Sequence, residues 1–189
     1  MNSLTVVPGS LLDAAQRGNI SLAESFLSCD ALVIVDSSGS MISRDASDSR
    51  TRHQAARDEL RTLQSSLPGR VGVIVFSSTV QFVPGGDYPE LNGGTDLAQA
   101  LQFVKVADDC GIKIIIISDG DPDDRPKALL TARTFKTRID AIYIGPERGS
   151  NGRDFLRQLC EATGGKFVTS AHVAEIAEPV RLMLNGDSR

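Results

Sequence analysis

The 189-residue chain is sparing in the residues that build several common kinds of site. Its three cysteines, Cys29, Cys110 and Cys160, are an odd number at unrelated spacings. That pattern indicates neither a disulfide framework nor a zinc motif, and it fits a reducing compartment. The two histidines, His53 and His172, lie in a polar loop and beside the last helical stretch. No supporting pattern surrounds them, so a serine-hydrolase triad lacks a visible base and both are expected at the surface. No segment approaches the ~18 apolar residues needed to cross a bilayer, and the opening MNSLTVVPGSLLDAAQ has no basic start followed by a long apolar run. Nor is there an excess of positive charge: 20 Lys and Arg against 24 Asp and Glu leave a formal charge of -4, which offers no footprint for nucleic acid or an anionic membrane. A GxxxxGK[ST] loop is missing as well, so nucleotide hydrolysis would belong to another subunit. The expectation is a cytoplasmic protein with no nucleic-acid or membrane partner.

What the chain does have is an ordinary globular balance, 41% hydrophobic and 23% charged, at a length that suits one domain. Its organising stretch is Ala31 to Met41, ALVIVDSSGSM. Five consecutive apolar residues predict a strand buried on both faces, because a half-solvated strand would alternate with polar side chains. The strand stops at Asp36, and Asp36, Ser38 and Ser40 follow at alternate positions. In a locally extended turn their three oxygens face the same way. At the carboxyl end of a parallel strand, such a turn lies where open sheets bind ligands.

Before this strand, Leu11, Leu12 and Ala15, then Leu22, Phe26 and Leu27, predict a helix broken at Gly18-Asn19, so residues 1–28 read as a helical extension packed on a domain of residues 29–189. After it comes a long polar stretch, Ile42 to His53, bordering the turn. From about Thr51, Ala56, Leu60, Leu63 and Leu67 follow a helical rhythm that ends at Pro68-Gly69. VGVIVF at Val71 to Phe76 is a second two-faced strand, and Val80 to Val83 is expected to turn back as an antiparallel edge. Gly93-Gly94-Thr95 opens a helix bearing Leu97, Leu101 and Val104. Ile112 to Ile117 is a third strand, ending at Ser118-Asp119-Gly120 much as the first ends at Asp36. Pro126 starts a helix with Leu129, Leu130 and Phe135. Ile139 to Ile144 is a strand, Phe155, Leu156 and Leu159 belong to a helix closed by Gly164-Gly165, and a strand at Phe167-Val168 precedes a helix with Val173, Ile176 and Val180. The alternation predicts a doubly wound α/β domain: one mainly parallel sheet, one antiparallel edge strand, helices on both faces.

Three loops then meet at one edge of the sheet: Asp36 to Ser40, Gly93 to Thr95, and Ser118 to Gly120. Asp36, Ser38, Ser40, Thr95 and Asp119 on these loops offer two carboxylates and three hydroxyls, without His or Cys. That all-oxygen set suits a hard cation, Mg²⁺ first and Mn²⁺ or Ca²⁺ after it, with a position left for an outside ligand. Taken singly, Thr95 also suits a helix cap and Asp119 a turn.

DSSGSM, Thr95 and Asp119, in this order, resemble the von Willebrand factor type A domain, a Rossmann-like fold, over roughly residues 29–184. The resemblance implies a metal-ion-dependent adhesion site in which Asp36, Ser38 and Ser40 hold Mg²⁺ directly or through water and Thr95 and Asp119 complete the pocket. It also implies a partner protein that supplies an acidic side chain, often within an assembly containing an ATPase. The chain departs from a compact version of the pattern in the length of Ile42 to His53 and in the additional Asp121, Asp123 and Asp124, which either raise cation affinity or repel an acidic partner. No enzyme activity is expected, since a Rossmann-like phosphatase needs an acid where Ser38 stands. A structural subunit with a vestigial metal site is the alternative; a metal-assisted hydrolase, lacking a general base, is a weaker one.

Overall fold

Four runs of branched aliphatic residues dominate the architecture seen in a computed structural model, which describes residues 5–44, 50–119, 122–145, 151–170, 180–182 and 184. They form β1 (Ala31–Asp36), β2 (Val71–Phe76), β4 (Lys113–Ser118) and β5 (Ile139–Ile144), and apart from the half-buried Lys113 every one of their residues is buried. Two short strands, β3 (Val80–Phe82) and β6 (Phe167–Ser170), complete a six-stranded sheet in the order β3-β2-β1-β4-β5-β6. All neighbours are parallel except β2 and β3, whose antiparallel pairing makes the predicted edge.

The period of two divides each strand between two cores. Leu32, Ile34, Ile74, Phe76, Ile114 and Ile116 face one layer, packed by α4 (Leu97–Asp109), α5 (Arg125–Ala132) and α6 (Asn151–Thr163). Val33, Val35, Val73, Val75, Ile115 and Ile117 face the other, covered by Ala56, Leu60 and Leu63 of α3 (Arg52–Ser66) and by Val180 and Leu184. Each fully buried Val, Leu or Ile contributes roughly 1.5–3 kcal/mol, so both faces are needed to hold the sheet. Among the described residues no helix is long and apolar enough to cross a membrane.

The N-terminal pattern forms α1 (Leu11–Gly18) and α2 (Leu22–Leu27), each opened by a serine cap, Ser10 and Ser21. Asn19, at φ 51°, makes the break between them. Leu11 reaches the same core as α4, and the Val7 N–H donates to Gly85 O at 2.8 Å, tying this segment to the region after β3.

Some boundaries differ from the sequence reading. β4 begins and ends one residue later, which brings Ser118 into the strand. α5 ends at Ala132, so Phe135 packs on the core from the following turn. The stretch Ile42 to His53, expected to be a surface loop, is not uniformly exposed: a 3₁₀ turn spans Gly39–Ile42, while Arg52 and His53 are buried in the first turn of α3. A surface position for His53 is therefore wrong. Its ring packs edge-on to Tyr88 at 4.9 Å and its Nδ1 lies 3.3 Å from Glu90 Oε1. Burial, with the Arg57 charge, lowers its pKa. Val173 and Ile176 of the expected last helix, His172, Asp121 and Gly120 lie outside the described residues.

Candidate functional site

β1 and β4 are neighbours in the centre of the sheet, and the chain leaves β1 toward β2 on one side while β4 continues to β5 on the other. This is the point where strand order reverses, and the carboxyl ends on either side of it frame a crevice. Pairing of Val35 with Ile117 brings Asp36 and Ser118 side by side at its floor. The Ser118 hydroxyl donates to Asp36 Oδ2 at 2.5 Å, and the Ser38 N–H donates to Asp36 Oδ1 at 2.8 Å. Asp36 is completely buried. Burial pushes its pKa up to about 6; the bonds from Ser118 and Ser38 oppose that rise, and the Asp119 charge adds to it.

From Ser38 the network continues outward. Ser38 Oγ and Ser40 Oγ lie 3.1 Å apart, and the Ser40 hydroxyl donates to Asp119 Oδ1 at 2.9 Å. Because Ser40 has one hydroxyl hydrogen and spends it on Asp119, Ser38 is the donor of the pair. The other oxygen of Asp119 accepts from the Arg52 guanidinium in a buried ion pair. Four of the five predicted residues, Asp36, Ser38, Ser40 and Asp119, thus form one chain of polar contacts that joins the loop after β1 to the loop after β4.

Thr95 enters through its backbone. The Gly39 N–H donates to Gly93 O at 3.2 Å and the Asn92 N–H to Ser37 O at 3.0 Å, which docks the Gly93-Gly94-Thr95 loop on the first loop. Gly93 adopts φ +98°, a conformation that side chains other than glycine resist. The Thr95 N–H donates to Asp123 Oδ2 at 3.0 Å and Thr95 O accepts from the Asp123 N–H at 3.1 Å. Among the described residues, the Thr95 hydroxyl makes no hydrogen bond to the other four side chains. Nor does Thr95 cap α4, since Asp96 does so by accepting from the Gln99 N–H. Two of the additional acids also have local work: Asp123 closes the Thr95 loop, and Asp124 caps α5 through the Lys127 N–H at 2.9 Å.

Sequence reasoning left out two residues of this site. Ser118 was visible as the end of a strand, and one residue of strand shift separates it from its role. Arg52 had no such signal, because the contact depends on how the chain returns from the 3₁₀ turn to α3.

Among the described residues no three His, Cys, Asp or Glu side chains come together. A cation in this crevice would therefore rely on hydroxyls beside Asp36 and Asp119. Those donors fit a hard divalent ion in kind, being oxygens only and coming from two adjacent strand ends; the Arg52 guanidinium on Asp119 is a positive group that such an ion would have to meet.

No protein-family model matches the chain, and no curated protein matches it in sequence. Solved structures match in shape. An aerotolerance-related membrane protein from Bacteroides fragilis, solved with multiple mutations to serines, superposes at a TM-score of 0.61 and 14% identity, covering 84% of this chain and 99% of that one. The manganese-loaded TRAP protein of Plasmodium vivax superposes at 0.55 and 16% identity, covering 84% of this chain and 74% of that one. The fold is of the von Willebrand factor A type. In that fold the switch-point crevice between β1 and β4 collects the loops described above, and this chain furnishes it with acid and hydroxyl oxygens.

Proposed function

We propose that the chain is a divalent-cation-dependent docking module for a protein partner, rather than an enzyme. Asp36, Ser38, Ser40, Thr95 and Asp119 would hold Mg²⁺, with Mn²⁺ or Ca²⁺ as substitutes, and an acidic side chain of the partner would supply a further ligand. When bound, the ion would supply a positive, oxygen-seeking centre to which an acidic partner side chain could bind. The observation that carries this reading is the 2.9 Å contact of Ser40 with Asp119, which closes two loops 79 residues apart in sequence around the same oxygen donors. The manganese in the similar TRAP structure supports the choice of a divalent ion. The resemblance to von Willebrand factor A domains extends this reading to a cytoplasmic multisubunit assembly that contains an ATPase.

Calorimetric titration tests it. The protein is expected to bind one equivalent of Mg²⁺ or Mn²⁺, and Asp119→Ala to abolish the signal while remaining folded. Binding to Asp119→Ala at the original affinity would reject the assignment. A wild-type protein that takes up neither ion would leave the fold with a structural role alone.

Thr95→Val gives a narrower test. The change keeps the shape and removes a hydroxyl that the other four side chains do not use, so stability should stay within about 0.5 kcal/mol. Cation affinity should fall several-fold. Equal affinity in the two proteins would remove Thr95 from the ligand set.

A further inference from the structure

Arg52 is an unusual neighbour for a cation site. Its side chain is 10% exposed and that of Asp119 is fully buried, so the ion pair between them lies in the body of the protein rather than at its rim. In so dry a setting an attraction between opposite charges and a repulsion between like charges are both magnified relative to water. The guanidinium holds one oxygen of Asp119 while Ser40 holds the other, and Asp36 is held by Ser118 and Ser38. Every carboxylate oxygen of the proposed ligand set is thus already occupied by a donor of this chain.

We propose that Arg52 is the resident cation of this site: its guanidinium neutralises Asp119 in the metal-free protein and must give up that carboxylate for a divalent ion to bind, so that Arg52 sets the cation affinity. The proposal rests on the reading of Asp119 as a metal ligand. Asp36 and Asp119 ionised, with Arg52, sum to -1. A divalent ion added with the guanidinium in place would bring the sum to +1, with two positive centres contesting Asp119. Removing the guanidinium leaves -2 for the ion to meet.

The position of Arg52 does not depend on Asp119. Thr51 caps α3, its Oγ1 accepting from the Gln54 N–H and its N–H donating to Gln54 Oε1, both at 3.1 Å. The Arg52 N–H is separately bound to Ser43 O at 3.1 Å. The helix start is therefore built without the ion pair, and the long side chain can leave Asp119 while its backbone stays.

The test is Mn²⁺ binding, read from the spin-resonance signal of free Mn²⁺, in the wild type, Arg52→Gln and Arg52→Lys. Arg52→Gln is expected to bind Mn²⁺ about tenfold tighter or more, and Arg52→Lys, which keeps the charge and loses the planar fork, to fall between them. Binding by Arg52→Gln alone supports Arg52 as the group that closes the site and at the same time rejects the docking reading for the wild type. Equal or weaker binding by Arg52→Gln, with the wild type binding normally, overturns the proposal and leaves the docking reading intact. Absence of binding in both overturns the two together. Should Arg52→Gln fail to fold, the ¹⁵Nε–H resonance of Arg52 in the wild type decides: it must shift as Mg²⁺ is added and saturate with the metal, and a signal unmoved by saturating Mg²⁺ rejects displacement.

Discussion

Asp108→Ala is expected to remove about 3–4 kcal/mol of folding stability, measured by urea denaturation at pH 7. Asp108 stands one residue from the end of α4 and is 3% exposed. A carboxylate at a helix C-terminus opposes the helix dipole, so it must be held by specific donors. Four donors are present. Oδ1 accepts from the Thr137 N–H and the Thr137 hydroxyl, each at 2.7 Å, and the Lys136 N–H lies 2.9 Å from Oδ2. Lys105 Nζ donates to Oδ2 at 2.5 Å and to Thr134 O at 2.6 Å, and lies 4.5 Å from the centre of the Phe135 ring.

Burial by itself would raise the pKa of Asp108, but the Lys105 ammonium and the donors of Lys136 and Thr137 outweigh it and hold the group well below the usual carboxylate range. The sign follows from linkage. A depressed folded pKa contributes stability that is present above the unfolded value, about 3.8, and is lost as pH falls through the folded one. Alanine would leave two backbone N–H groups and a hydroxyl without their acceptor between α4 and the segment entering β5, while Lys105 would keep Thr134 O. The Thr95 loop is carried at the opposite end of the same helix, so the variant should lose cooperativity of unfolding around the crevice before any ligand is lost. A cost below about 1 kcal/mol would show that water replaces the carboxylate, and the anchoring role would be withdrawn.

The contrast between Asp108 and Arg52 on one side and the strands on the other explains what was legible in the sequence. Two-faced burial leaves a local trace, an unbroken aliphatic run, and ALVIV, VGVIV and IIII each carry it. The turn at Asp36 was equally plain, because Asp, Ser and Gly change the composition abruptly after an apolar run. Pairing of loops was legible only as far as topology dictates it: parallel neighbours put the ends of β1 and β4 together whatever their side chains. Contacts made by long side chains across loops leave no such trace. Arg52 sits among Arg50, Arg57 and Arg61, and nothing in that row distinguishes the arginine that meets Asp119 from the ones that meet Asp58 and Asp87. His53 follows the same rule, since its place against Tyr88 depends on the path of residues 83–92. Asp124 is a milder case: a carboxylate three residues before Lys127, with Pro126 in the first turn, is a local cap signature.

Asp36→Asn should make the metal-free protein more stable at pH 7, by about 1–3 kcal/mol, and should flatten its stability between about pH 4 and pH 7. The folded value of about 6 lies above the ordinary 3.8, because the completely buried carboxylate loses its hydration and faces Asp119. A group whose folded pKa is raised stabilises fully below its unfolded value and loses that contribution as pH rises through the folded one. The folded protein thus retains a proton on Asp36 across a window in which the unfolded chain has released it, and at pH 7 it has lost roughly 2–3 kcal/mol relative to pH 4 from this group alone. Asparagine carries no charge to bury. Its Oδ1 can still accept from the Ser38 N–H, and the Ser118 Oγ can accept from Nδ2. Only the metal site suffers, for a neutral amide is a weaker ligand than a carboxylate. Urea denaturation with chelator present, at half-unit steps from pH 4 to pH 7.5, reads both effects. If wild type and Asp36→Asn run parallel over that range, the carboxylate ionises in the folded protein as it does in the unfolded chain, and the charge at the crevice floor is stabilised by something other than a divalent ion.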